Sequence, residues 1–152
     1  MNEGLKVLLV HNRYLEPGGE DAVFEAEGRL LEAAGHRVER FEVSNREVAA
    51  MGRLRLGTRT VWSPQAQRTV LKVARTFRAD VAHVHNTLPL LSPSVHHGLA
   101  GAGAAVVQTL HNYRLLCPQG MLLRDGRPCE SCVGRAPWPG VIHACYLSLI
   151  HI

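Results

Sequence analysis

Three apolar runs in this chain end in the same dipeptide: His11-Asn12 after Lys6–Val10, His85-Asn86 after Val81–Val84, and His111-Asn112 after Ala104–Leu110. An imidazole titrates near neutrality and can give or take a proton, and a carboxamide both donates and accepts hydrogen bonds. Brought to one place, such groups can hold a polar substrate and move a proton on it. A lone histidine at a strand end is more often structural, so it is the repetition that points to function. His111 precedes a long loop and is the strongest candidate for a catalytic group. His11, Asn12, His85, Asn86 and Asn112 are candidates for substrate contact. His83, inside its apolar run, reads as a core histidine, and His96-His97 as surface or packing residues of a helix. A metal pair His83-x-His85 has no third ligand at a suggestive spacing.

Two further constellations carry chemistry. Glu16-Pro17-Gly18-Gly19-Glu20-Asp21 lies between the first strand and its helix. Its glycines let a ligand approach the backbone, and a helix start offers free N–H groups to an anion. It matches neither the dinucleotide nor the P-loop glycine pattern, and a tight turn without a ligand fits it as well. Cys117-x11-Cys129-x2-Cys132-x12-Cys145 contains one knuckle short enough to chelate an ion, and the outer cysteines complete the number for a tetrahedral thiolate zinc. With a single CxxC, the set reads also as reduced thiols, an iron–sulfur ligand set or a redox dithiol.

The elements that must position these groups follow from periodicity. Strands are predicted over 5–12, 38–43, 80–86 and from 104, each short and β-branched enough for a buried parallel sheet. A helix from Gly18-Gly19 to Ala34 has Ala22, Val23, Ala26, Leu30 and Ala33 as its apolar stripe and stops at Gly35. Ser63-Pro64 and Ser92-Pro93 each read as a capping serine with proline in the first turn, opening helices to about Arg78 and Ala100. Residues 44–63 suggest a helical turn at Arg46–Met51 and otherwise loop. The alternation predicts an α/β, Rossmann-like parallel sheet with helices on both faces. Ligands of such sheets bind outside the carboxyl ends of the strands. Residues 1–112 form the core of this domain, and 113–146, rich in proline and cysteine, a loop segment that needs another source of rigidity.

With 152 residues, 46% hydrophobic and 20% charged, the chain is of ordinary globular composition and one domain at most. Of 17 cationic side chains only Lys6 and Lys72 are lysines; the arginines are scattered and leave a net charge of +4. That fits a solvated basic surface, or attraction to phosphates or an anionic membrane face. Only 5% of residues are aromatic and none interleave with a basic run, which argues against nucleic-acid binding. No run reaches the roughly 18 apolar residues of a membrane span, and Met1–Gly4 carries no basic leader. A cytoplasmic location is expected, with peripheral contact to the inner face of the membrane through Arg53–Leu56 and Trp62, or these packed as a loop.

Together the segments KVLLVHNRYLEPGGED (6–21), DVAHVHNTLPLLSPSV (80–95), VVQTLHNYRLLCPQG (106–120) and DGRPCESCVG (125–134) resemble the N-terminal domain of family 4 glycosyltransferases. These are retaining, sugar-nucleotide-dependent enzymes of the GT-B fold. The resemblance implies an acceptor-side domain facing a second, donor-binding domain across a cleft. It places Gly18 and Gly19 in the loop near the donor diphosphate and His111 beside the transferred sugar. Partners implied are a nucleotide-sugar donor and a glycan or lipid-linked acceptor, with no cofactor required for catalysis. Many members carry aspartate where this chain has Asn112, which argues against a base at that position. The likeness stops at Tyr146. Leu147–Ile152 read as a non-native tail and the chain as a truncated fragment, inactive alone because it lacks the donor-binding half. The alternative reading is a stand-alone nucleotide- or zinc-binding module.

Overall fold

A strand flanked by hydrogen-bonded neighbours and covered on both faces must be apolar on both, and Lys6–Arg13 (β1) is buried at every position from Val7 to Asn12. The computed structural model describes residues 4–145, so the expected tail at 147–152 lies outside the described residues. Arg37–Ser44 (β2) and Val81–Val84 (β3) pair with β1 in parallel, and Ala105–Gln108 (β4) pairs in parallel with β3. The four-stranded sheet runs β2-β1-β3-β4. It is an α/β, Rossmann-like arrangement, as the alternation of periods predicts.

Strand alternation divides the side chains between two layers. Leu8, Val10, Ala82 and Val84 face one way and pack on Ala66, Val70 and Ala74 of a helix Pro64–Phe77 and on Val95 and Leu99 of a helix Ser94–Gly101. Val7 and Leu9 face the other way, onto Phe24 of a helix Gly19–Ala33 (α1). The buried side of α1 is Asp21, Phe24 and Gly28, with Leu31 partly covered. Ala22, Val23, Ala26, Leu30 and Ala33, taken from the sequence as the apolar stripe, are all exposed. The true stripe is hard to read because its other members are an acid and a glycine. Gly28 makes room for the Arg40 guanidinium, which bonds to Glu32 at 2.6 Å.

Residues 44–63 hold more structure than expected. Asn45–Ala50 forms a 3-10 turn capped by Ser44, and Arg53–Val61 is a helix (α2) rather than loop. The helix at Pro64 (α3) starts as predicted, with Ser63 Oγ accepting from the Ala66 N–H at 3.2 Å. The one at Ser94 (α4) starts one residue later than expected, with Pro93 at the N-cap, while Ser92 Oγ accepts from the Ser94 N–H at 3.3 Å. Ser92 Oγ also accepts from the Ser63 N–H at 2.9 Å, and Ser94 Oγ donates to the Ser63 carbonyl at 2.8 Å, which ties the starts of α3 and α4 together.

The chain divides into two compact units, one ending at Thr109 and one beginning at Leu110. The second contains a short antiparallel hairpin, Leu123–Arg124 (β5) with Arg127–Pro128 (β6), and a short helix Trp138–Ile142 (α5). Asp125 and Gly126 turn the hairpin with φ of 52° and 73°, the backbone that a two-residue Asp-Gly turn needs. No helix among the described residues is long and apolar enough to cross a membrane.

Candidate functional site

The chain leaves β1 for β2 on one side, then crosses to β3 on the other. In an open parallel sheet that reversal opens a crevice at the carboxyl ends of the two strands, here those of β1 and β3. His11 and His85 stand there on the α1 face. Their ring centroids are 6.1 Å apart, and both rings touch Phe24, stacked at 4.8 Å for His11 and edge-on at 5.3 Å for His85. Two of the three strand-end histidines therefore converge as the sequence suggests. They are not an open rim, however: His11 is 0% and His85 2% exposed, covered by the first turns of α1.

Asp21 organises this corner. Its Oδ2 accepts from the Gly18 N–H at 2.8 Å, and its Oδ1 lies 3.1 Å from His11 Nε2 and 3.5 Å from Arg13 Nη1. One buried carboxylate thus holds the glycine turn, the strand-end imidazole and an arginine in fixed relation. Burial lowers the pKa of His11, outweighing the hydrogen bond and charge of Asp21 that raise it. The ring's Nδ1 is buried without a hydrogen-bond partner among the described residues. His11 is therefore suited to positioning Asp21 and, through it, Gly18. Arg13 is held by Glu25 and Glu42 and lies over the Phe24 ring at 5.6 Å.

The two carboxamides have a different task from that expected. Asn12 is fully buried: its Oδ1 accepts from the Leu90 N–H at 3.0 Å and its Nδ2 donates to Asn45 Oδ1 at 2.7 Å. Asn86 Nδ2 donates to the Asn12 carbonyl at 3.0 Å, and Asn86 Oδ1 accepts from the Leu88 N–H at 3.3 Å. With these bonds made, Asn12 and Asn86 act as clamps joining β1 to the turn at 45 and the loop at 86–91.

Gly18 and Gly19 are exposed at the start of α1. A Cβ on Gly19 would meet nothing within 4 Å, and one on Gly18 only Asp21 Oδ2 at 4.0 Å. Neither packing nor a positive φ inside this chain asks for glycine there. The open space above the turn is what a ligand approaching the N–H groups requires.

His111 and Asn112 belong to the second unit. His111 is half-buried, and Asn112 Oδ1 accepts from the Arg114 N–H at 3.0 Å, closing an Asx turn. In the same unit all four cysteines line one cavity of about 10 Å³, together with Pro118, Leu123 and Gly140. None is disulfide-bonded. Burial pushes the Cys117 thiol up, but the backbone N–H groups of Leu122, Gly120, Gln119 and Met121 outweigh it and bring its pKa below the usual value. The Ser131 backbone N–H and hydroxyl do the same for Cys129. Amides aimed at sulfur favour the thiolate, the form that binds metal.

A third ligand for the His83-x-His85 pair, absent from its sequence neighbourhood, comes from α1. Glu27 Oε1 is 2.6 Å from His83 Nδ1, and Glu27 Oε2 is 3.5 Å from His85 Nε2. His83 is partly exposed and doubly bonded rather than a closed core residue. Asp21, Arg13, Glu27 and Asn45 were not among the predicted site residues. The only sequence signal for Asp21 and Glu27 was their three-residue spacing to either side of Phe24 on one helix face.

Comparison of the chain with protein-family models, with curated proteins and with solved structures gives no significant match.

Proposed function

We propose that the chain is the acceptor-side half of a retaining, sugar-nucleotide-dependent glycosyltransferase of family 4. The observation that carries this reading is the corner between β1 and β3. An exposed glycine turn that nothing internal requires is fixed by Asp21 and His11 at the crevice where parallel sheets take their ligands. In the proposed reaction the Gly19 N–H, in a turn that the Gly18–Asp21 bond holds in place, stabilises negative charge on the leaving diphosphate. His111, by the motif it occupies, orients the sugar or the acceptor hydroxyl, which attacks on the face the leaving group departs from. Such an enzyme also needs a donor-binding half, a second α/β domain; the acceptor-side fold alone binds but does not turn over. The acceptor class is a glycan or lipid-linked glycan.

The cysteine cavity supports a structural zinc in the second unit, held by Cys117, Cys129, Cys132 and Cys145. All four cysteines line one small cavity and two are thiolate-favoured by amide donors, which favours metal over unpaired thiols; their sulfurs are not gathered at metal-ligand spacing, so the ion would draw them together. α2 supports peripheral membrane contact. It exposes Leu54 (84%) and Val61 (74%) beside Arg53 and Arg55, the mix that settles at an anionic interface.

The test is sugar transfer by the complete reading frame. A second α/β domain following codon 146 and transfer that falls more than about tenfold in His111→Ala support the reading. A frame that ends without such a domain, or transfer unchanged by that substitution, overturns it in favour of a stand-alone binding module.

A further inference from the structure

We infer that Glu27, His83 and His85 form a divalent-metal site, and that zinc, with a solvent molecule completing its shell, is the ion it takes. Among the described residues this is the one group of three His, Cys, Asp or Glu side chains that each offer a ligand atom within 4.8 Å of the other two.

The convergence is built by three rules of the fold. Residues i and i+2 of a strand share a face, so His83 and the strand-end His85 both point to the α1 layer. Their rings are 4.5 Å apart between centroids. Phe24 packs on that same face, and Glu27, three residues on, follows it along one side of the helix. The carboxylate turns one oxygen to each imidazole.

Distances decide whether an ion fits. Ligands about 2.0–2.1 Å from a tetrahedral zinc are about 3.3 Å from one another. Glu27 Oε2 and His85 Nε2 are already near that spacing at 3.5 Å. Glu27 Oε1 and His83 Nδ1, at 2.6 Å, need to open by less than an ångström, within reach of a glutamate partly in solvent. Metal-bound imidazoles are usually fixed by a partner on their other nitrogen. His83 has one: its Nε2 is 2.8 Å from Thr109 Oγ1, and an Nε2–H donated there leaves the Nδ1 lone pair for the ion. The His85 side chain is wholly covered, while those of His83 and Glu27 are 13% and 27% exposed. The group is thus closed at its base and open on one side, which suits three protein ligands and one exchangeable water. Two imidazole nitrogens and the Glu27 carboxylate select zinc and its first-row neighbours over calcium or magnesium, which take all-oxygen sites. The inference stands apart from glycosyl transfer and from the cysteine cavity.

The test separates the two metal sites by their sulfur. The full chain, reduced and stripped of metal, is titrated with cobalt(II) and then zinc. Two equivalents are expected. One carries the near-ultraviolet thiolate-to-cobalt band; the other shows visible bands alone and is displaced by zinc. Glu27→Gln and His83→Ala, each checked by circular dichroism for an unchanged fold, should weaken the sulfur-free equivalent at least tenfold and leave the thiolate band intact. Absence of a sulfur-free equivalent in the wild-type chain, or equal affinity in the Glu27→Gln variant, would overturn the site. Neither result bears on sugar transfer, which is assayed separately.

Discussion

At the scale of single residues, the molecule spends buried polar groups on holding one turn in place. Asp21 binds Gly18, His11 and Arg13 from a position 5% exposed. Asp21→Ala strands a buried imidazole and a backbone donor and should cost about 1–3 kcal/mol in urea unfolding. It should also release the Gly18–Gly19 turn. Gly19→Ala meets no atom, so stability should change by less than about 1 kcal/mol, while affinity for a nucleoside diphosphate falls. A variant equally weak in both measurements would show that the glycine serves only folding. His11 also sets a pH dependence. Its pKa is lowered in the folded chain, chiefly by burial, so the unfolded chain takes up the proton first as pH falls through about 6.5. Stability is therefore complete above that pH and is lost below it. The urea midpoint should drop from pH 8 to about pH 5, and His11→Gln should flatten that slope.

At the scale of elements, the contact between α3 and α4 is close enough to test by one methyl group. A Cβ on Gly98 would lie 2.4 Å from the Gln67 carbonyl oxygen and 2.8 Å from Val70 Cγ2. Backbone cannot yield as a side-chain tip can, so Gly98→Ala should cost about 1–3 kcal/mol in thermal or urea unfolding. A neutral result would mean the two helices slide apart freely. The same elements explain what could be read from the sequence. The four strands, α1, α3 and α4 were legible because β-branched runs and cap-and-proline signals are local. The helix at Arg53–Val61 was not, because it buries no residue fully and its leucines alternate with arginines instead of recurring at helical spacing. The stripe of α1 was misassigned because the sheet face it covers carries histidines, which invite acids rather than leucines. Of the site, the positions of His11 and His85 were legible from topology alone. The burial of both rings and the use of Asn12 and Asn86 as clamps depend on α1 and on the loop at 86–91, which no periodicity encodes.

At the scale of the whole molecule, the division at Thr109 and Leu110 separates two sources of rigidity. The first unit is held by the apolar layers on its sheet; for the second, beside its hairpin, we propose the cysteine-bound zinc as the source of rigidity. A chelator should therefore open residues 110–145 to protease while leaving 4–109 protected; equal protection with and without chelator would remove zinc from the second unit. In the first unit, the dipeptides at 11–12 and 85–86 each send a ring toward one helical layer and an amide toward the other. That parity makes the strand length itself a constraint. Deleting one residue between Lys6 and Val10 would exchange the two groups, seating an amide under Phe24 and an imidazole where Leu90 is tethered. Deleting two would keep every group facing its own layer and shorten only the reach of the strand.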